Sequence, residues 1–505
     1  MTAAQVVTIN SLNDDVLSLI VSWLSRKDTS QLALASRDVS PVARRRMLST
    51  LRVCAPIGGS FFYELMLQED DGFRLRCLRN LQIHHSPGPV SDPYGGFALQ
   101  VIACVLEKAS NLRTLYLSYM EEILASPNGY LLGNAITSLS DLSELEIPVI
   151  GERGLELCGR MTCRPTLIRL GCETFPSLSI LHTASEIQLS GCSLMSQLED
   201  SDGPMPLPAQ TDLLPNTRVL RLTNMDPLPF VALCRNLKCL HLEYIAVLDE
   251  DNEEIYPHDA DNTFSTGHAL LLGLVTRLNV LDVFVDNTTE SRLSETIVTT
   301  IRATHPVVLS IQHHYGDIHL WRRLAELAKH TRSRLRYLDV LLHNDIDSVY
   351  QWLEECLPLL ADCGILCVRL RLIQHLQNTL LGEDHGILEP NSDKWLVHDS
   401  WKDLRATAPD ILAKAIPSLR YVSISWGYMV MWNVGTCKTT FANRSRWWNI
   451  TRGNAEASPG SADVRAEENN ARALVEIGEE EGLRIDAYLR GDAFAKTLRL
   501  PKDFM

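Results

Sequence analysis

One short pattern, Leu-x-x-Leu-x-Leu with aliphatic substitutions, recurs along most of this 505-residue chain. Clear copies begin at Leu78, Leu112, Leu142, Leu237, Leu278, Leu335 and Leu419, and degenerate copies centre on Leu170, Ile187, Leu220, Leu309 and Val368. Successive side chains of a strand point to opposite faces, so the last two anchors of each copy predict a short strand with one buried face. The copies are mostly spaced by roughly 20 to 34 residues, within the range of solenoid repeats.

Helix-like apolar stretches precede several copies, at 98–106, 131–139, 269–275, 324–328 and 411–416. A short strand and a helix that repeat together are the signature of a leucine-rich repeat solenoid, whose stacked units share one core. The sequence therefore predicts an α/β fold over residues 53–430. It would be a curved parallel sheet with outer helices, in about 11 to 12 irregular repeats.

The residue between the last two anchors of each copy should point away from the core, onto the concave side of the sheet. These positions are polar or amphipathic, except for Gly171 in the copy at Leu170. The candidates for a substrate-binding face are Tyr116, Glu146, Arg221, His241, Asp282, Asp339 and Arg369. Both charge signs occur along this row, which favours a protein or peptide ligand over a polyanion.

The N-terminal segment has a different pattern, that of two short amphipathic helices. Four apolar residues are spaced to share one face of the first helix: Val16, Leu17, Ile20 and Leu24. Ser11 with Asp14 is placed to cap the first helix, and Asp28 with Gln31 to start the second. A module of about fifty residues buries little surface, so it should gain stability from a neighbouring domain or a partner.

This N-terminal segment resembles the F-box, a helical module that binds Skp-type adaptor proteins. The matching positions are Leu12, Asp15, Val16, Leu17, Ile20, Leu24, Asp28, Leu32, Ser36 and Arg37. Three positions depart from the family pattern, since Asn13 replaces the usual Pro, Thr29 a Leu and Val39 an aromatic residue. By this resemblance, the residues that would bind the adaptor are Leu12, Asn13, Val16, Leu17, Ile20, Leu24 and Leu32.

The repeats resemble those that follow the F-box in many F-box proteins, and the layout resembles that of the divergent F-box proteins of fungi. The resemblance implies a substrate-recognition adaptor of a Skp-cullin-F-box ubiquitin ligase. Residues 1–52 would dock the Skp-type adaptor and thereby join a cullin-RING ligase, and residues 53–430 would hold a substrate protein. Residues 431–505 would form a C-terminal cap and a partly mobile tail, with an edge strand near 446–452 and a helix within 474–489.

Two alternatives stay open. The chain could be a leucine-rich repeat scaffold without a link to ubiquitination, whose N-terminal helices only cap the solenoid. It could also be a small-molecule receptor, although Arg221, Arg369 and Arg371 are few and separated for an anion site on the concave face. Charge substitution in the first helix separates an adaptor surface from a cap, because only the cap should lose solubility.

Composition narrows the classes of partner further. A net charge of −15 opposes binding to nucleic acid or anionic lipid. No secretory signal and no membrane-spanning apolar run is visible, and the 13 cysteines are scattered within apolar patterns. These features favour the cytosol or the nucleus. No nucleotide, zinc or nucleophile motif occurs and residues 249–262 lack a calcium-loop pattern, so we expect no enzyme, cofactor or metal site.

Overall fold

The chain forms two compact units, Met1–Thr217 and Arg218–Met505. The structure is a computed structural model, and the residues it describes are 12–55, 66–67, 72–85, 96–172, 178–191, 214–223, 225, 227–243, 275–281, 290–313, 318–330, 333–342, 346–376, 399–431, 437–452, 472–501 and 504. Both units have an α/β fold with mostly parallel strands, as the repeats predict. The predicted borders at residues 52 and 430 stay a prediction.

Three helices open the first unit: α1 (Asp14–Ser22), α2 (Arg26–Ala35) and α3 (Ser40–Ser49). Their common core consists of Leu17, Val21, Val39 and Val42, with Leu12 and Leu32 packed against it. Apolar residues three and four positions apart supply this core, because they lie on one side of a helix.

The starts of the first two helices differ from the prediction. Asn13 caps α1, since its Oδ1 accepts a hydrogen bond from the Val16 N–H at 2.8 Å. Ser25 caps α2, where its Oγ accepts from the Asp28 N–H at 3.1 Å and donates to Asp28 Oδ2 at 2.6 Å. The predicted starts were therefore wrong by a few residues, and the Asn13 that replaces the family's Pro has a capping role of its own.

The described part of the first unit continues with six strands and six helices. The strands are β1 (Thr50–Ala55), β2 (Asn80–His85), β3 (Thr114–Leu117), β4 (Glu144–Ile150), β5 (Leu167–Cys172) and β6 (Glu186–Ser190). The helices are α4 (Phe73–Cys77), α5 (Gly96–Lys108), α6 (Met120–Ala125), α7 (Gly129–Ser138), α8 (Glu152–Arg160) and α9 (Leu178–Leu181). Each strand pairs in parallel with the next, and the predicted anchors form buried rows such as Leu81, Leu115 and Leu145.

The second unit repeats this arrangement and ends differently. Its described strands are β7 (Val219–Thr223), β8 (Cys239–Glu243), β9 (Arg277–Leu281), β10 (Val308–His313), β11 (Tyr337–Leu342), β12 (Cys367–Leu376), β13 (Tyr421–Met431), β14 (Cys437–Arg452) and β15 (Arg472–Ile477). Strands β7 to β13 pair in parallel in chain order, whereas β14 is antiparallel to both β13 and β15. Parallel strands require crossover connections, and helices lie in those that the structure describes, whereas the connection from β8 to β9 is outside the described residues.

The described helices of the second unit are α10 (Leu228–Leu233), α11 (Glu290–Thr304), α12 (Ile318–His330), α13 (Ile346–Gln351), α14 (Asp399–Ala415), α15 (Glu479–Leu489) and α16 (Asp492–Thr497), with a π-helical turn at Trp352–Cys356 and a 3₁₀ turn at Leu357–Leu360. No helix in the described ranges is both long enough and apolar enough to cross a lipid bilayer.

One repeat has a register different from the predicted one. Leu278 is level with Leu240 and Leu309, so Asn279 is the residue level with His241. The predicted register, which placed Asp282 in this row, was wrong by three residues because both positions 278 and 281 are Leu. Asp282 itself lies outside the described residues.

The C-terminal elements also differ in part from the prediction. The strand near 446–452 is confirmed as part of β14, but it is not an edge strand, since β13 and β15 pair with its two sides. The predicted helix within 474–489 begins only at Glu479, after β15. Residues 453–470, predicted to be mobile, and the stretch 249–262 lie outside the described residues.

Candidate interaction surfaces

The predicted adaptor-binding residues divide into buried and exposed ones. Leu17 is 5% exposed and belongs to the helix core, so it is not part of the surface. The partly buried members are Leu12, Leu24 and Leu32, whereas Asn13 is exposed and caps α1. Val16 and Ile20 are exposed large apolar residues, and their role in adaptor binding stays a prediction.

Further exposed apolar residues extend this surface. Leu19 is 61% exposed and Trp23 is 83% exposed. Together with Val16 and Ile20 they follow the i, i+3, i+4, i+7 spacing of one helix side, which we call the apolar stripe. Leu34 on α2 is exposed as well. A contiguous exposed apolar patch marks an interaction surface more often than a scattered apolar residue does.

A polar row crosses the outward side of the sheet in the first unit. Its members are paired in register on adjacent strands from β1 to β6: Arg52, Gln82, Tyr116, Glu146, Arg169 and Gln188. We call this row, with the neighbouring His84, the first face. None of these side chains is buried, so the predicted positions Tyr116 and Glu146 are open to a ligand.

Contacts within the first face hold its side chains in place. Arg169 Nη1 donates to Glu146 Oε2 at 2.8 Å, and the rings of His84 and Tyr116 lie 4.4 Å apart. Burial, followed by the nearby Glu146, raises the pKa of Tyr116 above its usual value. Burial, followed by Arg52, lowers the pKa of His84, so this ring is largely neutral at pH 7.

The start of the second unit carries the next predicted positions. Arg221, His241 and Asn279 are level across β7 to β9. Asn279 Nδ2 lies 3.1 Å from His241 Nδ1, and His241 Nε2 lies 3.1 Å from Cys239 Sγ. When Asn279 donates to Nδ1, the ring proton is on Nε2 and points to the sulfur, so the imidazole is not a base for this thiol. Cys239 is buried, which also opposes reactivity.

The last two predicted positions, Asp339 and Arg369, are covered by the chain's own C-terminal segment. They lie on the outward side of β10 to β14, with Tyr337, Arg371 and Ser423 among their neighbours, and we call this surface the second face. The carboxylate of Asp339 accepts from Arg371 Nε at 2.7 Å and from Arg490 Nη2 at 2.6 Å. Arg490 directly follows α15.

Arg490 fits a site made by three side chains of the second face. Its guanidinium carbon lies 4.6 Å from the centre of the Tyr337 ring, a cation–π distance. Nη2 also donates to the Tyr337 hydroxyl at 3.2 Å, and Nη1 lies 3.5 Å from Ser310 Oγ. Asp486 of α15 accepts from Arg490 Nε and pairs with Arg369 at 3.8 Å.

The charges in this cluster determine its protonation. Burial by itself would raise the pKa of Asp339, but Arg371, Arg490 and Arg369 hold that pKa below its usual value. Burial by itself would lower the pKa of Arg490, whereas Tyr337, Asp339 and Asp486 raise it. The buried groups therefore keep opposite charges at neutral pH.

Apolar packing holds the C-terminal segment on the second face. Val308, Tyr337, Cys367, Tyr421 and Trp447 form one buried cluster with residues of the segment, namely Ile485, Leu489, Phe494 and Ala495. Helix α15 passes directly over Trp447, and a Cβ atom at Gly482 would come within 2.2 Å of the indole ring. Only a glycine permits this close approach.

Polar contacts fasten the ends of the same segment. Lys238 pairs with Asp492 of α16, and the Tyr421 hydroxyl donates to the carbonyl of Phe504. Arg334 Nη2 donates to the carbonyl of Ala495 at 2.7 Å. The segment therefore reaches from Lys238, which precedes β8, across the second face to Tyr421 on β13 and Trp447 on β14.

Not every polar group on the second face has a partner. Among the described residues, three buried donor atoms of this face find no hydrogen-bond partner: Arg369 Nε, Ser423 Oγ and Ser425 Oγ. Trp447 Nε1, under α15, is likewise buried and has no partner within the described ranges. A buried polar group without a partner costs about 1–3 kcal/mol, so the C-terminal segment is an imperfect cover for this surface.

Comparison with known proteins adds no family assignment. No model of a known protein family matches the chain, and a search of curated proteins finds no similar sequence.

Within the part of the chain that the structure describes, no group of three or more His, Cys, Asp and Glu side chains is arranged to hold a metal ion. Nine cysteines in the described ranges are free thiols, among them Cys158 and Cys367.

Proposed function

We propose that this chain is a substrate-recognition adaptor of a Skp-cullin-F-box type ubiquitin ligase, built from an F-box-like module and a leucine-rich repeat solenoid. The apolar stripe on α1 carries the proposal. It consists of four large apolar side chains that leave the core of their own module and face solvent. Burying an exposed side chain of this size contributes about 1.5–3 kcal/mol, so the stripe suits a protein partner.

In this proposal two surfaces of the chain act by bringing their partners close together. The apolar stripe would dock a Skp-type adaptor and join the chain to a cullin-RING ligase in the cytosol or nucleus. The outward side of the parallel sheet would hold the substrate protein. The gain would be a high effective concentration of substrate lysines near the loaded ubiquitin-conjugating enzyme, with no bond chemistry on this chain.

Co-purification of the full chain with a Skp-type adaptor tests the proposal. We expect wild type to capture the adaptor and a Leu19→Asp/Trp23→Asp variant to lose it, because both side chains are exposed and their replacement leaves the helix core intact. Ser18→Asp is the matched control, since Ser18 is exposed on another side of α1 and capture should persist. Absence of capture by wild type and control alike would refute the adaptor role.

One observation favours a second candidate, a repeat scaffold in which the helices cap the sheet. Helix α3 runs directly into β1, and the carbonyl of Ser49 accepts from the Arg79 N–H at 2.9 Å. The module is thus continuous with the first strands. A cap whose α1 surface is needed for solubility would aggregate in the Leu19→Asp/Trp23→Asp variant, whereas an adaptor surface would leave the variant monomeric and folded.

A further inference from the structure

Strand β15 ends the described sheet of the second unit. It pairs with β14 on one side, and no described strand pairs with its other side. Helix α15 turns away from this open edge, because its Gly482 lies over Trp447 of β14. Further along, its Asp486 accepts a hydrogen bond from Tyr337 of β11. An open strand edge presents a row of backbone donors and acceptors, which can pair with another chain.

The register shows which backbone groups of β15 point to the open edge. The Ile450 N–H donates to the carbonyl of Arg420, which directly precedes β13, so the backbone groups of Ile450 point to the β13 side. Alternate residues of an antiparallel strand point to opposite neighbours, so Asn449 bonds with Val475, its partner on β15. By the same alternation, three residues of β15 have their N–H and C=O groups on the open edge: Arg472, Leu474 and Glu476.

This open edge is complementary to itself. When two copies of β15 pair in antiparallel fashion about Leu474, each Arg472 lies opposite the Glu476 of the other copy. Twofold symmetry repeats this pair, so the junction contains two ion pairs. Opposite charges directly across two strands stabilise their pairing, whereas like charges weaken it.

Both charged side chains have room for a further partner. Arg472 Nη1 donates to the carbonyl of Ala413 at 2.6 Å, and a guanidinium has five N–H donors in all. Glu476 pairs with Arg446 at 2.6 Å, but both side chains are 48% exposed. A second guanidinium can therefore reach the Glu476 carboxylate.

The apolar residues of β15 favour the same pairing. Val475 is 49% exposed, although it is a large apolar residue on a strand. In the arrangement about Leu474, each Val475 lies opposite the small Ala473 of the other copy, at a pair without mutual hydrogen bonds. Side chains approach most closely at such pairs, so a second copy would cover the exposed surface of Val475.

We propose that β15 pairs with β15 of a second copy, so that the chain forms a twofold-symmetric dimer through a continuous sheet. The proposal goes beyond the ligase function and does not depend on adaptor binding. A dimer presents each docking surface of the chain twice, which increases the avidity for a partner with two binding segments.

Sedimentation velocity of the full chain measures the dimerisation. Wild type should form a dimer whose share increases with concentration. Glu476→Arg and Arg472→Glu each place like charges opposite one another at two positions, so each variant alone should dimerise at least about tenfold more weakly. Glu107→Arg makes the same change of charge at an exposed position of α5 and should dimerise as wild type does.

An equal mixture of the two variants separates lost pairing from lost folding. In the mixture, the two positive side chains of one strand lie opposite the two negative side chains of the other. Dimerisation should therefore return as a heterodimer, which misfolded strands could not form. A monomeric wild type, a dimer that both variants preserve, or a mixture that stays monomeric would each overturn the proposal.

Cysteine substitution tests the register of the pairing. Leu474→Cys should give a disulfide-linked dimer on mild oxidation, because Cα atoms at a directly opposite pair of this kind lie about 5.5 Å apart. Glu476→Cys should give no more crosslinking than wild type, since its two copies would lie roughly 14 Å apart. Crosslinking at both positions, or at neither, would overturn the pairing about Leu474.

Discussion

The two faces arise from the same strand pattern and have opposite surroundings. On the first face, Tyr116 and Glu146 stay accessible beside Arg169. On the second face, the corresponding Asp339 is 3% exposed beneath the C-terminal segment. The alternation of side chains determines which residues point away from the core. The alternation does not determine whether such a residue faces solvent. On the second face, that depends on a segment about 150 residues further along the chain, which no local sequence pattern reveals.

The comparison predicts that apolar contacts on the second face behave as core contacts. Phe494→Ala should lower the free energy of unfolding by about 3–5 kcal/mol, because this ring is fully buried in the cluster with Tyr337 and Tyr421. Tyr116→Ala on the first face should cost less than about 1 kcal/mol, since its ring is only partly buried. Urea denaturation measures both, and similar costs would refute the distinction between the faces.

Breaking a charge pair on each face should show the same contrast, with a slightly smaller loss of stability than removing an apolar contact. Asp339→Asn removes a carboxylate charge that pairs with the largely buried guanidinium groups of Arg371 and Arg490, and it should destabilise the chain by about 3 kcal/mol. Glu146→Gln breaks a pair that is about one-third exposed on both sides, so the cost should be below about 1 kcal/mol. A larger loss for Glu146→Gln than for Asp339→Asn in chemical denaturation would contradict the assignment of the covered face.

The substitution Gly482→Ala should have two opposing effects on the stability of the chain. Alanine improves helix propensity by about 1 kcal/mol. The new Cβ would lie 2.2 Å from the Trp447 indole, and overpacking of this kind typically costs about 1–3 kcal/mol. We expect net destabilisation of up to about 2 kcal/mol in thermal or urea unfolding. Gly159→Ala is the control, because Gly159 lies within α8 and a Cβ there would meet no neighbouring atom within 4 Å, so the gain in helix propensity should stabilise this variant by about 1 kcal/mol.

The smallest expected effect is a dependence on pH below about 4. The folded-state pKa of Asp339 is lowered, so its ionised form stabilises the fold above the unfolded pKa of about 3.9. That contribution is lost as the pH falls through the folded-state pKa. The stability difference between wild type and Asp339→Asn should therefore shrink from pH 5 to pH 3. A difference that stays constant over this range would show that the carboxylate charge is not involved.

The repeat pattern predicts much of the sheet because its physical cause is local. Anchors such as Leu81 and Leu115 alternate with polar residues, and the strands form where this alternation occurs. The register of β9 was wrong because Leu281 imitates an anchor that Leu278 supplies. A single sequence cannot separate two such registers when both positions carry the same residue.

The surfaces could be predicted only in part. Helix α1 is apolar on more than one side, so spacing alone does not tell that Leu17 packs inside while Leu19 and Trp23 face solvent. The spacing of Val16, Leu19, Ile20 and Trp23 could nevertheless have revealed the apolar stripe. The pairing of Asp339 with Arg490 depends on a long-range contact, which hydrophobic periodicity does not encode.

Oxidative footprinting of the full chain, with mass spectrometry of single residues, tests the contrast between the faces most directly. We predict rapid labelling of Tyr116 and protection of Tyr337 and Trp447 in the wild type, because Tyr116 is only partly buried whereas the C-terminal segment covers Tyr337 and Trp447. In the Arg490→Ala chain, labelling of Tyr337 should rise towards that of Tyr116. Equal labelling of Tyr116 and Tyr337 in the wild type would contradict the covered state of the second face.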